Sequence, residues 1–200
     1  MPTPKPIPAV FLDRDDTLID TDGTTADLRV PGDLLIPARV KLLPGVGPAL
    51  RSLAALGYPL VVISNQGGVS RAMGTLHDVE ATNDALRAHL LPHGVTLAAC
   101  YYCPFASSGH TPPFNSDHPW RKPEPGMYLA AARELHLDLS QSWAVGDKAR
   151  DLQAAAAAGL ALKRCILLTR GPAPQPLPWG LTCPSVVDAA RHIAAASPLS

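Results

Sequence analysis

A chain of 200 residues that is 46% hydrophobic has apolar mass for one well-buried domain and little for a second. Its 17 Lys and Arg balance 17 Asp and Glu, so there is no basic field for nucleic acid or an anionic membrane, and any phosphate recognition must be local. No apolar run approaches the roughly 20 residues of a membrane span, and "MPTPKPIPAV" lacks the apolar centre of a signal peptide. A cytoplasmic monomer is expected, and its cysteines, 100, 103, 165 and 183, read as thiols or metal ligands.

In chain order, the Pro-rich residues 1–8 predict a loose tail before a single domain over 9–198. Val10, Phe11 and Leu12 form a continuous apolar run, as expected of a parallel strand covered on both faces. Residues 20–41 hold too much Gly, Pro and Asp for regular structure and are expected to form a loop over the site. A helix over 44–57 follows, with proline at its start, Leu50, Leu53 and Leu56 at helical spacing, and Gly57 as its stop. "PLVVISNQGG" is a second buried strand ending in small polar residues. A helix over 75–91, a strand over 96–102 and a Pro/Ser/His-rich loop over 104–120 come next. A helix over 125–137 leads to the strand "SWAVGD", the helix "ARDLQAAAAAGL" and a last central strand, "CILLT". Residues 170–184 are again proline-rich, and a terminal helix spans 186–196. This βαβαβ order, with polar residues at strand ends, predicts an α/β fold: a doubly wound, Rossmann-like parallel sheet.

The candidate chemistry lies at four strand ends or helix starts. Asp13 and Asp15 follow the first strand, where ligands bind in open α/β sheets. Ser64 and Asn65 end the second strand, Lys122 precedes a helix in "WRKPEPGM", and Asp147 and Asp151 lie in "GDKARD". An aspartate can attack phosphorus if a cation offsets anion repulsion and a neighbour protonates the leaving alkoxide. Carboxylates together with a phosphate suit Mg²⁺, which takes few protein ligands and keeps several waters. Lys122 would neutralise the phosphoryl oxygens, Ser64 would donate a hydrogen bond to them, and Asp147 would complete the metal site.

The segments "FLDRDDTL", "VVISNQGGVSR", "WRKPEPGM" and "AVGDKARDLQAAAAAGL", in this order, resemble the haloacid dehalogenase (HAD) superfamily of phosphohydrolases. Within it they are similar to the branch of D-glycero-D-manno-heptose 1,7-bisphosphate 7-phosphatases and histidinol-phosphatases. The resemblance implies Asp13 as nucleophile, Asp15 as general acid/base, and Ser64 and Lys122 as phosphoryl stabilisers. It implies Asp13, Asp15 and Asp147 around a Mg²⁺ ion, and Asn65, Arg121 and Lys148 holding substrate. Arg71 is added as a substrate contact, although an exposed loop arginine needs no such purpose. For Asp151, four residues after Asp147, capping or support is expected rather than metal contact. Neither inter-motif segment has room for a large cap domain, so loops 20–41 and 104–120 must set specificity. The implied activity is Mg²⁺-dependent hydrolysis of a small phosphate ester through an aspartyl-phosphate. A sugar phosphate such as the heptose bisphosphate is favoured; histidinol phosphate, or a non-catalytic descendant that binds phosphorylated ligands, are the alternatives.

Two departures from that branch stand out. Its zinc loop implies four ligands; here Cys103 and His118 keep two places, while Phe105 and Trp120 fill the others. Two ligands do not close a structural zinc site, and the spacing of Cys100 and His110 fits no familiar set, so zinc is not expected. The second departure is Asp16, where the branch has glycine. Its charge is expected to raise the proton affinity of Asp15 and to oppose phosphate binding, rather than merely to cap the following turn.

Overall fold

The computed structural model describes residues 5–28, 32–169 and 180–197. Six parallel strands run β1 (Val10–Leu12), β2 (Leu60–Asn65), β3 (Ala99–Cys103), β4 (Trp143–Gly146), β5 (Cys165–Leu168) and β6 (Leu181–Cys183). They are ordered β3-β2-β1-β4-β5-β6 in one sheet. The chain order therefore reverses at β1, which pairs with β2 on one side and β4 on the other, and this switch point opens a crevice at the carboxyl ends of those strands.

Because successive strand residues face opposite sides, the sheet builds two cores. Val10, Leu12, Leu60, Val62 and Ile166 pack against α2 (Val46–Ala55), α3 (Leu76–Leu90) and α6 (Val186–Ala196). Phe11, Val61, Ile63, Ala144 and Leu167 pack against α4 (Gly126–Leu135) and α5 (Ala149–Ala157). The continuous apolar run of β1 thus serves both cores at once. No helix among the described residues is long and apolar enough to cross a membrane.

Three sequence-based expectations need correction or extension. The tail is not loose at residue 7: Ile7 forms a bridge to Leu137, its N–H donating to the His136 carbonyl and its own carbonyl accepting from Asp138. Segment 20–41 contains a short helix, α1 (Thr21–Thr25), because Asp20 caps its start by accepting from the Gly23 N–H. β5 is the last central strand, as expected, and β6 adds an edge strand beyond it through Ile166–Leu168. Most of the proline-rich stretch expected at 170–184 lies outside the described residues. The expected 96–102 strand begins three residues late, at Ala99, and runs to Cys103.

Candidate active site

β1 ends where the Asp13 N–H donates to the Val145 carbonyl, which fixes Asp13 at the mouth of the switch-point crevice. A cavity of about 140 Å³ opens there, lined by Asp13, Asp15, Asn65, Asp147, Lys148 and Arg150, among others. Beneath it lies Lys122, only 3% exposed. Its Nζ stands 2.5 Å from Asp13 Oδ1, 2.7 Å from Asp151 Oδ1 and 2.7 Å from the Ile63 carbonyl. Asn65 sets this position: its amide donates to the Lys122 carbonyl and accepts from the Lys122 N–H, at 3.0 and 2.9 Å. Expected as a substrate contact, Asn65 thus holds the Lys122 main chain while also lining the cavity.

Six aspartates line the crevice with Lys148 and Arg150, above Lys122, so negative charge is in surplus. Burial pushes the Asp13 carboxyl well above the usual carboxylate range; Lys122 pulls the other way, but Asp151, Asp147 and Asp15 add to the rise. Asp147 is likewise raised by burial, despite Lys148 at 2.8 Å, with Asp151 and Asp16 contributing. Lys122 is held above its ordinary value because Asp13 and Asp151 outweigh its burial. Asp13, Asp147 and Asp151 bring carboxylate oxygens within 4.8 Å of one another. An all-oxygen set of three carboxylates, only partly offset by Lys122 and Lys148, fits a hard divalent cation such as Mg²⁺. The side chain of Asp15 stands outside this trio. Asp151 also caps α5, accepting from the Lys148 N–H at 2.9 Å, as expected, but its place in the trio departs from the expectation of support without metal contact.

Asp15 has a different environment. Burial would raise its carboxyl, but the Arg14 guanidinium and hydrogen bonds from Thr21 and Gln66 bring it below the usual range. Thr21 Oγ1 donates to Oδ1 at 2.6 Å and Gln66 Nε2 to Oδ2 at 2.6 Å. Ser64, 2% exposed, accepts from Gln66 Nε2 at 2.8 Å and reaches Asp15 Oδ2 at 3.4 Å.

Asp16 lines the cavity, but the expected rise of the Asp15 carboxyl is not found. The Asp16 φ of 58° lies in the left-handed region, which explains why a glycine suits this position. Its Oδ1 accepts from the N–H groups of Thr21 and Asp22, at 3.1 and 2.9 Å, so it secures the turn into α1. Asp15 remains low, and the charge of Asp16 is felt at Asp147 instead.

The remaining predicted residues spread around the crevice. Lys148 pairs with Asp147 as above. Arg71 is ion-paired with Asp33, which itself lines the cavity. Arg121 donates to the Phe105 carbonyl at 2.8 Å and lines a second cavity, of about 520 Å³, with Lys122, Asp117 and Glu124. Its Nη1 and that of Arg71 converge over Gly67, 3.1 and 3.0 Å from where a Cβ would stand, so a side chain there would displace them. Arg14, Gln66, Asn83 and Arg150 were given no role from the sequence, although Arg14, Gln66 and Arg150 lie within the motif segments; Asn83 lies in none.

In loop 104–120, the Phe105 ring stacks on His118 at 4.3 Å, Trp120 meets His118 edge-on, and Cys103 Sγ lies 4.0 Å from His118 Nδ1. That nitrogen accepts from the Trp120 N–H at 3.1 Å. Among the described residues, no third Cys, His or carboxylate, Cys100 and His110 included, joins Cys103 and His118 in a metal-sized group.

Known proteins resemble this chain in sequence and fold. The HAD-hydrolase-like family model matches residues 119–175. A protein of Salmonella typhi named D-glycero-beta-D-manno-heptose-1,7-bisphosphate 7-phosphatase is 36% identical over 159 residues, 80% of either chain. A protein of that name from Mesorhizobium japonicum is 39% identical over 159 residues, 79% of this chain and 69% of its own. The chain belongs to the HAD phosphatases. Among solved structures, a HAD-like phosphatase from Mesorhizobium loti superposes with a TM-score of 0.79 at 34% identity, covering 98% of this chain and 90% of its own. The D,D-heptose 1,7-bisphosphate phosphatase of B. bronchiseptica, crystallised with magnesium and phosphate, gives 0.75 at 27% identity, covering 96% of this chain and 100% of its own. This HAD phosphatase therefore hydrolyses phosphoric monoesters. Among the described residues there is no large cap over the six-stranded sheet.

Proposed function

We propose that the enzyme removes the 7-phosphate of D-glycero-β-D-manno-heptose 1,7-bisphosphate, with Mg²⁺, through a phosphorylated Asp13. The observation that carries this reading is the pairing of Asp13 with buried Lys122 at the mouth of the crevice, beside the Asp147 and Asp151 carboxylates. The names of the 36–39% identical relatives support the choice of sugar.

The roles follow from the geometry. Asp13 Oδ2 attacks phosphorus while Oδ1 stays with Lys122, and the bond to the sugar oxygen breaks. Asp15, whose carboxyl lies below the usual range in the free site, delivers to the departing alkoxide a proton that it takes up from the incoming phosphate ester. It then takes a proton from the water that attacks the same phosphorus, which releases phosphate and restores Asp13. Mg²⁺, held by Asp13 and Asp147, supplies charge neutralisation of the phosphoryl group when bound. Lys122 and Lys148 add positive charge on the two sides of the cavity, and Ser64 holds Gln66 against Asp15. Arg71, Arg121 and Arg150 offer guanidinium groups toward the rest of an anionic substrate.

The test is phosphate release from heptose 1,7-bisphosphate, histidinol phosphate and hexose phosphates, with Mg²⁺ and with chelator. The bisphosphate is expected to have the highest kcat/KM, and chelator to abolish release. A preference for histidinol phosphate would refute the choice of substrate, and undiminished release in chelator would refute the metal.

A further inference from the structure

Arg14 is fully buried, a costly place for a guanidinium unless its charge and donors are met. All of its nitrogens are engaged. Nε and Nη2 reach Asp15 Oδ2 at 3.3 and 3.1 Å, and Nη2 also meets the Leu34 carbonyl at 2.9 Å and Gln66 Oε1 at 2.7 Å. Nη1 donates to Asn83 Oδ1, on α3, at 2.9 Å. We infer that Arg14, braced by Asn83, is a positioning residue for Asp15, and that this bracket aims the acid/base carboxylate at the leaving oxygen.

Three observations support the bracket. The terminal torsion of an aspartate is broad, so a carboxylate without in-plane partners swings. Here Arg14, Gln66 and Thr21 grip both oxygens of Asp15 and leave the cavity as its open side. The Gln66 amide depends on Arg14 as well: because its oxygen accepts from Nη2, its nitrogen is turned to donate to Asp15. Finally, Asn83 is 1% exposed and its Nδ2 has no partner, a standing cost inside α3. Its oxygen is used on Arg14, so the contact that justifies this asparagine is the brace. Arg14 thereby ties Asp15 to α3 and to the segment at Leu34.

This inference rests on the acid/base role of Asp15, and the experiment separates the two. Arg14→Lys keeps the charge and loses the planar fork; Asn83→Leu keeps the shape and removes only the brace. Both are compared with Asp15→Asn on a primary-alcohol sugar phosphate, whose leaving group needs a proton, and on para-nitrophenyl phosphate, whose leaving group does not. Thermal melts establish that each variant is folded, and if Arg14→Lys does not fold, Asn83→Leu carries the test. For the sugar phosphate, the single-turnover rate of alcohol release is expected to fall about 100-fold in Arg14→Lys and about tenfold in Asn83→Leu, as for a misaimed catalytic group. For the aryl ester, the single-turnover release of nitrophenolate should change by less than about threefold, because that step needs no proton; hydrolysis of the aspartyl-phosphate, which uses Asp15 as base for either ester, comes after the step that is read. Equal losses on both esters, or none, in folded variants would overturn the bracket while a selective Asp15→Asn keeps the acid role. If Asp15→Asn itself is unselective, the acid role falls and the bracket with it.

Discussion

Replacing Lys122 by methionine removes the one ammonium that faces Asp13 and Asp151 and leaves a side chain of similar length. Lys122 is 3% exposed, so water cannot take over its work. Removing one partner of a buried ion pair costs about 3–5 kcal/mol. At 2–4 °C per kcal/mol for a domain of this size, the melting temperature should fall by roughly 6–20 °C at neutral pH without divalent cations. The sign of the pH dependence is fixed by Asp13. Its folded-state carboxyl already lies above its unfolded value, and losing Lys122 raises it further. A group raised in this way contributes stability below its unfolded pKa and loses it as pH rises through the folded one. The deficit of Lys122→Met should therefore be largest at neutral pH and shrink as the solution is acidified and Asp13 takes up a proton. Urea or thermal melts of both proteins across that range measure it. A variant as stable as the wild type at neutral pH, or a deficit that does not change with pH, would refute the charge accounting.

Asp13→Asn should abolish turnover yet melt at or above the wild-type temperature, because it removes surplus negative charge; residual wild-type phosphate release would exclude Asp13 as the attacking group. Asp16→Ala loses two charge-assisted hydrogen bonds at a left-handed position and should cost about 2–3 kcal/mol. Asp16→Gly recovers roughly 1 kcal/mol of that by relieving the backbone, with kcat and the pH–rate profile unchanged; a shifted profile would restore the electrostatic role for this residue. Elemental analysis of the purified protein should give well under one zinc per chain, since among the described residues no third ligand joins Cys103 and His118 and Phe105 stacks on the His118 ring; stoichiometric zinc would contradict this.

The central strands and the longer helices were legible because apolar runs, periodicity and cap residues record them directly, whereas the reversal of order at β1 is set by how the strands pair and leaves no local mark. Of the legible helices, the C-terminal one runs from Val186 to Ala196 as its pattern predicts. β6 was hidden because three residues, Leu181–Cys183, beside a proline-rich stretch carry no period. α1 was missed because its stability comes from the carboxylates of Asp16 and Asp20 rather than from an apolar face. At the site, the motif order exposed Asp13, Asp15, Lys122 and Asp147, since each sits in a distinctive local string. Asn83 and Gln66 were invisible, because an amide on a helix or in a turn acquires its role only when the fold brings Arg14 against it. Asp16 was misread for the related reason that a sequence gives charge but not direction: its carboxylate turns to the Thr21 and Asp22 amides.

The central claim, that Asp13 carries the phosphoryl group, is tested most directly by trapping the intermediate. Enzyme, Mg²⁺ and heptose bisphosphate are mixed, quenched in acid during turnover and reduced with borohydride, which converts an aspartyl-phosphate to homoserine. Peptide mapping should then find homoserine at position 13 and at no other aspartate. Homoserine at position 15, 147 or 151, or its absence while phosphate is being released, would contradict the account.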